Sequence, residues 1–253
     1  MSKYCDFAYV YDTLMSDVDY HKRALYLMKL FKRFDRMPTL LLDIACGTGG
    51  FSNEFAISGV EVIGVDMSED MLDCARRNSA ECGTDVLFLC QTAQELDLYG
   101  TVDGVICCLD SLNHITDYKE LCRAIERVSL FLEEDRLFIF DVNTLYKHKY
   151  ILGNNTFVIE RENIFCTWQN EYDEQNSITD ISLDFFVKDG KKYIRSSEDF
   201  SERAYTEAEL EKALRSAGLK IEAVYADMTF DGVEPETDRA IYVTRKIRVK
   251  TNV

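Results

Sequence analysis

An α/β fold is predicted by three observations. Short apolar runs alternate with helical stretches from residue 39 to 142; the first run ends in an acid and closely spaced glycines; and strand-like segments crowd together after Asn143. Alternation of this kind implies βαβ units, hence a parallel sheet with right-handed crossovers whose ligand sits beyond the carboxyl ends of the strands.

The elements read in order as follows. Val10, Tyr11 and Leu14, then Tyr20, Ala24, Leu27, Met28 and Phe31, recur at helical spacing, and Pro38 closes the segment, so residues 1–38 are read as an N-terminal helical cover. A strand over 39–44 feeds a helix over about 50–58 that Gly59 stops. A strand over 61–65 ends at Asp66, and Ser68 opens a helix that Gly83 caps. Strands over 86–90, 103–109 and 136–142 follow, with a turn around Ala93–Leu98 and a helix over about 117–131. Thr156–Glu162, Phe165–Tyr172, Ile178–Val187 and Lys192–Phe200 then read as an antiparallel meander, with Asp189-Gly190 as its plainest hairpin turn. Thr206 caps one more helix, and strands over 219–226 and 239–245 finish the chain. The division expected is a core of 39–147 and 204–253, with 148–203 inserted as the meander.

Composition excludes several classes. Lys and Arg number 29 against 45 Asp and Glu, a net charge of −16 that would repel a phosphate backbone, so nucleic acid is not the expected substrate. No apolar run is long enough to span a bilayer, and Met1–Asp12 carries acids where a signal peptide is basic and then apolar, so a cytoplasmic protein without membrane attachment is expected. Nine cysteines without a C-x-x-C pair, and three histidines, point to reduced thiols packed as small apolar groups and to no metal site.

The chemistry concentrates on Asp43-Ile44-Ala45-Cys46-Gly47-Thr48-Gly49. Glycines between a strand and a helix allow positive φ and close approach of a ligand to the helix N-terminus. A dinucleotide turn has a third glycine, and here Ser52 stands in its place, so the turn suits a cofactor with a ribose and no pyrophosphate. Asp66, ending the second strand, can accept both ribose hydroxyls. Gln91–Gln94 and Leu109–His114 would meet the same edge of the sheet.

Asp43–Gly49, followed by Gly64-Val65-Asp66-Met67-Ser68-Glu69-Asp70-Met71-Leu72, closely resembles the first two motifs of class I S-adenosylmethionine-dependent methyltransferases. Leu109–Ile115 and Arg203-Ala204-Tyr205-Thr206 are similar to a bacterial small-molecule branch that includes sugar-amine and glycine N-methyltransferases. The resemblance covers nearly the whole chain. It implies a Rossmann-like sheet of seven strands, mostly parallel with the last antiparallel, and methyl transfer from S-adenosylmethionine, leaving S-adenosylhomocysteine, to nitrogen or oxygen of a small acceptor. It implies that Asp43, Ala45, Cys46, Gly47 and Gly49 form the methionine-end cradle and that Asp66 takes the ribose. Met67 would pack on the adenine, Thr92 and Ala93 lie at its edge, and the Leu109 carbonyl sits near the methionine amine. Thr92 departs from the aspartate the family commonly places there.

Tyr11 and His114 are the catalytic candidates, one as a wall residue and the other as a base; each has a structural alternative, in the core and in a loop respectively. Asp110 and Asn113 are read either as site residues or as caps of the helix opening near Asp117. Trp168, Tyr172, Phe185 and Tyr193 read as sheet packing or as the contact of a homodimer formed through the meander. Two alternative functions stand beside methyl transfer: a non-catalytic S-adenosylmethionine or S-adenosylhomocysteine binder, and an NAD-dependent oxidoreductase.

Overall fold

The computed structural model describes residues 5–247; positions 1–4 and 248–253 of the expected boundaries lie outside it. Helices α1 (Cys5–Leu14) and α2 (Tyr20–Phe34) precede β1 (Leu40–Ile44), α3 (Gly50–Ile57), β2 (Glu61–Asp66), α4 (Glu69–Cys82) and β3 (Val86–Cys90). β4 (Val102–Cys107), α5 (Tyr118–Phe131) and β5 (Leu132–Asn143) follow, then β6 (Thr156–Arg161), β7 (Ile164–Asp173), β8 (Ile178–Asp189) and β9 (Lys192–Arg203). α6 (Glu207–Ser216), β10 (Leu219–Ala226) and β11 (Arg239–Lys246) complete the order.

Seven strands form one sheet in the order β10-β11-β5-β4-β1-β2-β3. β1 pairs in parallel with β2 and β4, whereas β11 runs antiparallel to both β5 and β10. The strand order reverses between β1 and β4, which places a crevice beyond their carboxyl ends. Burial on both faces explains why these strands read as continuous apolar runs. Leu41, Ile106, Leu137 and Ile139 pack against Leu27 and Phe31 of α2 and Phe55 of α3, while Leu42, Val105, Phe138 and Phe140 pack against Leu121 and Ile125 of α5 and Leu210 and Leu214 of α6. Alternate residues of one strand therefore serve opposite layers.

Helix ends follow the sequence signals. Ser68 Oγ accepts from the Met71 amide, and Gly83 adopts the left-handed conformation after α4. Asp117 caps α5, and Thr206 with Glu209 forms a capping box on α6. β5 begins four residues earlier than the sequence suggests, because Leu132 is buried and pairs with Val102 before the left-handed Asp135 breaks the register.

The meander is a separate four-stranded sheet, β6-β7-β8-β9. Its register puts Cys166, Phe185 and Ser196 on one face, followed by Trp168, Leu183 and Glu198, then Asn170, Ile181 and Phe200, and finally Tyr172, Thr179 and Glu202. That face turns inward, where Ile164, Cys166 and Phe185 bury against Val10 of α1. The outward face is a polar ladder: Ser182 donates to Asp199 at 2.6 Å, Arg195 to Asp184 at 2.7 Å, and Ser201 to Asp180 at 2.5 Å. The same face also exposes Val158, Phe165 and Tyr193. Among the described residues no helix is long and apolar enough to cross a membrane.

Candidate functional site

β1 delivers the glycine turn to the crevice. Ala45, Gly47 and Gly49 all have positive φ, at 55°, 54° and 81°. A left-handed alanine costs about 1–2 kcal/mol, so the turn is held in place by its surroundings. The Cys46 amide donates to the Val65 carbonyl at 3.0 Å, and the Gly49 amide to the Cys46 carbonyl at 2.9 Å. Asp43 lies under the turn, fully buried, and accepts from the Ser52 hydroxyl at 2.6 Å in the first turn of α3. Burial pushes the Asp43 carboxyl up to about 7, with the Ser52 hydrogen bond opposing. Its role is therefore to order the turn from below, and it offers nothing to a ligand above.

Asp66 binds the same turn from β2. One carboxylate oxygen accepts from the Gly47 amide at 2.8 Å and the other from the Ser68 amide at 2.9 Å. Each oxygen keeps a further lone pair, as two ribose hydroxyls require. Burial raises this carboxyl, and the Ser68 and Gly47 amides restrain the rise. A Cβ built on Gly47 meets nothing within 4 Å, so the space above it is open; one built on Gly49 meets the Ala75 Cβ and the Phe88 ring, each at 3.2 Å. Met67 beside Asp66 is 74 % exposed, an apolar side chain with no protein partner for its surface. Thr92 donates to Glu95 at 3.3 Å, and Ala93 packs against the core under the same rim. Open turn, doubly available carboxylate and bare apolar surface together fit a nucleoside with an amino-acid tail.

The opposite wall comes from the loop after β4. Leu109 and Asp110 are consecutive left-handed residues, at φ 56° and 53°, and the Asp141 carboxylate accepts both amides, at 2.7 and 2.9 Å. Arg239 of β11 donates to Asp141 and pairs with Asp110. Asp110 is thus a pinned acid: burial works against its ionisation, but the Arg239 charge prevails and lowers it. It does not cap a helix. Asn113 does not either; its amide donates to the Asn143 and Arg203 carbonyls at 3.1 and 2.8 Å, tying the loop to β5 and β9. The cap of α5 is Asp117, which accepts from the Lys119 and Glu120 amides.

Tyr11 and Tyr20 form a hydrogen-bonded phenol pair between α1 and α2, and burial pushes Tyr11 up to about 12 and Tyr20 further, so both are neutral donors. The Tyr20 ring covers Gly50, where a Cβ would fall 2.6 Å from it. Asp12 accepts from the Thr48 hydroxyl at 2.5 Å, and Asn78 bridges Asp12 and the Thr48 carbonyl at 3.1 and 3.0 Å, so α1 is latched across the glycine turn. The charges of Asp66 and Asp110 bear on both Tyr11 and His114.

His114 keeps 46 % of its side chain accessible although protein crowds its ring. Burial lowers its basicity, and Asp110 and Asp66 oppose the drop. Phe200 packs against its ring at 5.1 Å. The ligand atoms of Asp110, His114 and Glu202 lie within 4.8 Å of one another. That spacing alone would suit a cation, but Arg239 already holds Asp110, and Lys147 supplies a second positive charge to it. Sequence reading missed Asp141, Arg239 and Glu202. Asp141 had a signal: like Asp43 and Asp66, it is the acid that follows an apolar run in a parallel strand. Arg239 had none, and Glu202, although it directly precedes the Arg203–Thr206 segment, was not singled out among the charges of its strand.

Comparison with known proteins places residues 41–130 in a family model described as a methyltransferase domain. A candidate methyltransferase from Bacillus subtilis, YqeM, is 32% identical over 246 residues, 96% of this chain and 97% of that one. A crystal structure of an S-adenosylmethionine-dependent methyltransferase from Clostridium acetobutylicum superposes with a TM-score of 0.88 at 32% identity, covering 98% of this chain and all of the other. The dTDP-3-amino-3,6-dideoxy-alpha-D-glucopyranose N,N-dimethyltransferase of Streptomyces fradiae is 27% identical over 211 residues, 81% of this chain and 79% of its own.

Proposed function

The chain belongs to the class I S-adenosylmethionine-dependent methyltransferases, and we propose that it methylates nitrogen or oxygen of a small-molecule acceptor, nitrogen being favoured. The observation that carries this reading is the open space over Gly47 beside the Asp66 carboxylate, whose charge bears on both Tyr11 and His114. Nitrogen is favoured by the Streptomyces fradiae relative, whose name assigns it to an amino sugar and whose match spans most of both chains.

Ala45–Gly49 would receive the amino-acid end of the cofactor, Asp66 the ribose, and Met67, Thr92 and Ala93 the base. When bound, the cofactor supplies a methyl on a sulfonium sulfur, open to in-line displacement by an acceptor lone pair. What the chain contributes is mainly geometry, since orientation alone supplies about 7–11 kcal/mol in well-placed systems. The latch of α1 through Asp12 and Thr48, with the Tyr11–Tyr20 pair behind it, would cover one side of the cofactor. His114 is the group positioned to hold a proton leaving the acceptor.

Two measurements test the proposal. S-adenosylhomocysteine raises the melting temperature and NAD does not; the reverse result removes the methyltransferase reading. Labelled methyl from S-adenosylmethionine appears in small amines of a metabolite extract, and repeated failure across broad amine and hydroxyl pools would leave a binder without turnover.

A further inference from the structure

Glu202 is a carboxylate that the methyl-transfer reading does not require. It sits on the inward face of β9, 4 % exposed, between two imidazoles. One oxygen lies 3.7 Å from His114 Nε2 and the other 3.7 Å from His148 Nε2. The Asn143 amide donates to it at 3.4 Å. His148, in the π-helical turn Lys147–Leu152, is wholly buried; its Nδ1 meets the Thr179 hydroxyl at 2.8 Å, and its Nε2 has no hydrogen-bond partner. Both 3.7 Å gaps exceed hydrogen-bond distance by about half an ångström.

We infer that Glu202 is the positioning residue for His114: a carboxyl group shared between two imidazoles that fixes the His114 tautomer and receives charge from it. The inference rests on the methyl-transfer reading only for the use to which His114 is put. One Glu202 oxygen keeps its proton and donates it as a hydrogen bond to the His148 Nε2 lone pair, and the other oxygen accepts from Nε2–H of His114. Nδ1 is then left as the basic nitrogen of a ring that stays partly accessible. When the acceptor's N–H or O–H proton passes to Nδ1, its electron pair stays on the nucleophile, which forms the new bond to carbon as the C–S pair leaves with sulfur. The Nε2 proton of the resulting imidazolium is held by Glu202, whose own proton is held by His148.

Every charged neighbour is compatible with this role. Burial pushes Glu202 up to about 8, and the Asp110 charge adds to the rise, while the Asn143 bond, Lys147 and Arg239 oppose it. Burial takes His148 down to about 4, so it remains a neutral acceptor. Lys147 donates to Asn143 at 2.8 Å and is itself lowered by burial and by Arg239. Arg239 is committed to Asp110 and Asp141.

The test needs no acceptor. The chain has only three histidines, so nitrogen-15 NMR of the full protein with S-adenosylhomocysteine resolves each ring. In the wild type His114 carries its proton on Nε2. Glu202→Gln retains that tautomer, because its carbonyl still accepts from His114 while its amide serves His148. Glu202→Leu removes the acceptor, and the tautomer becomes mixed. A wild-type His114 protonated on Nδ1 overturns the inference without any variant, as does a Leu variant that keeps the Nε2–H form. Failure of S-adenosylhomocysteine to bind would instead sink the methyltransferase reading and leave the tautomer result standing.

Discussion

Gly47 and Gly49 are two residues apart, both left-handed, and they separate ligand space from packing space. Replacing either with alanine places a Cβ at positive φ, at a cost of about 1–2 kcal/mol. At Gly47 the new methyl enters open space; at Gly49 it presses on Ala75 and Phe88 at 3.2 Å, adding about 1–3 kcal/mol of overpacking. A chain of this size loses about 2–4 °C of Tm per kcal/mol, so Gly47→Ala falls by about 2–8 °C and Gly49→Ala by more. S-adenosylhomocysteine at 100 times its Kd contributes about 2.7 kcal/mol to the wild type. If the space over Gly47 belongs to the cofactor, its methyl weakens binding at least about tenfold, which removes about half of that increment. Gly49→Ala keeps most of the increment despite its lower starting Tm. Thermal melts with and without ligand decide the matter: equal ligand increments in the two variants would refute the division.

Three further outcomes follow from the same geometry. Asp66→Ala loses most of the S-adenosylhomocysteine shift, and an undiminished shift contradicts the ribose assignment. Asp43 is raised above its unfolded value, so the native state holds a proton that the unfolded chain releases; its contribution is complete below about pH 4 and is lost as pH rises toward about 7. The stability of the wild type relative to Asp43→Asn therefore declines across that window, by at most about 1.4 kcal/mol per pH unit, and denaturant melts showing a flat difference exclude the buried carboxyl as the cause. Asp12→Ala loses its bonds to Thr48 and Asn78, about 1–2 kcal/mol, and speeds backbone hydrogen exchange along α1 but not β1; unchanged protection of α1 means the latch holds nothing.

Much of the donor side was legible in the sequence because its physics is local. A strand, an acid and glycines within seven residues specify the turn, and Asp66 ends the neighbouring parallel strand one βαβ unit later, in register. Helix caps at Ser68 and Thr206 were legible for the same reason, since a cap acts within four residues. Asp110 and Asn113 stood open between site residues and caps, and the cap itself, Asp117, was not picked out because a short polar side chain anywhere before a helix can serve. The actual partners of Asp110 and Asn113, Arg239, Asn143 and Arg203, are supplied by strands that sequence spacing cannot bring together.

The side of the site facing the donor was legible only in part, for a reason that bears on function. Asp110 and His114 share the loop after β4 and were read there, whereas His148, Glu202 and Arg239 come from the turn after β5, the last meander strand and β11. No local conformation depends on their identities, so neither capping nor periodicity constrains them; only the site does. The cradle is different, since Gly49 and Asp43 are required by the fold of the turn itself. The two halves of the site are therefore separable. Substitution along the inward face of β9 and the loop after β4 can change the recipient while the turn goes on binding the same donor, which is how one cofactor cradle can serve acceptors of different chemistry.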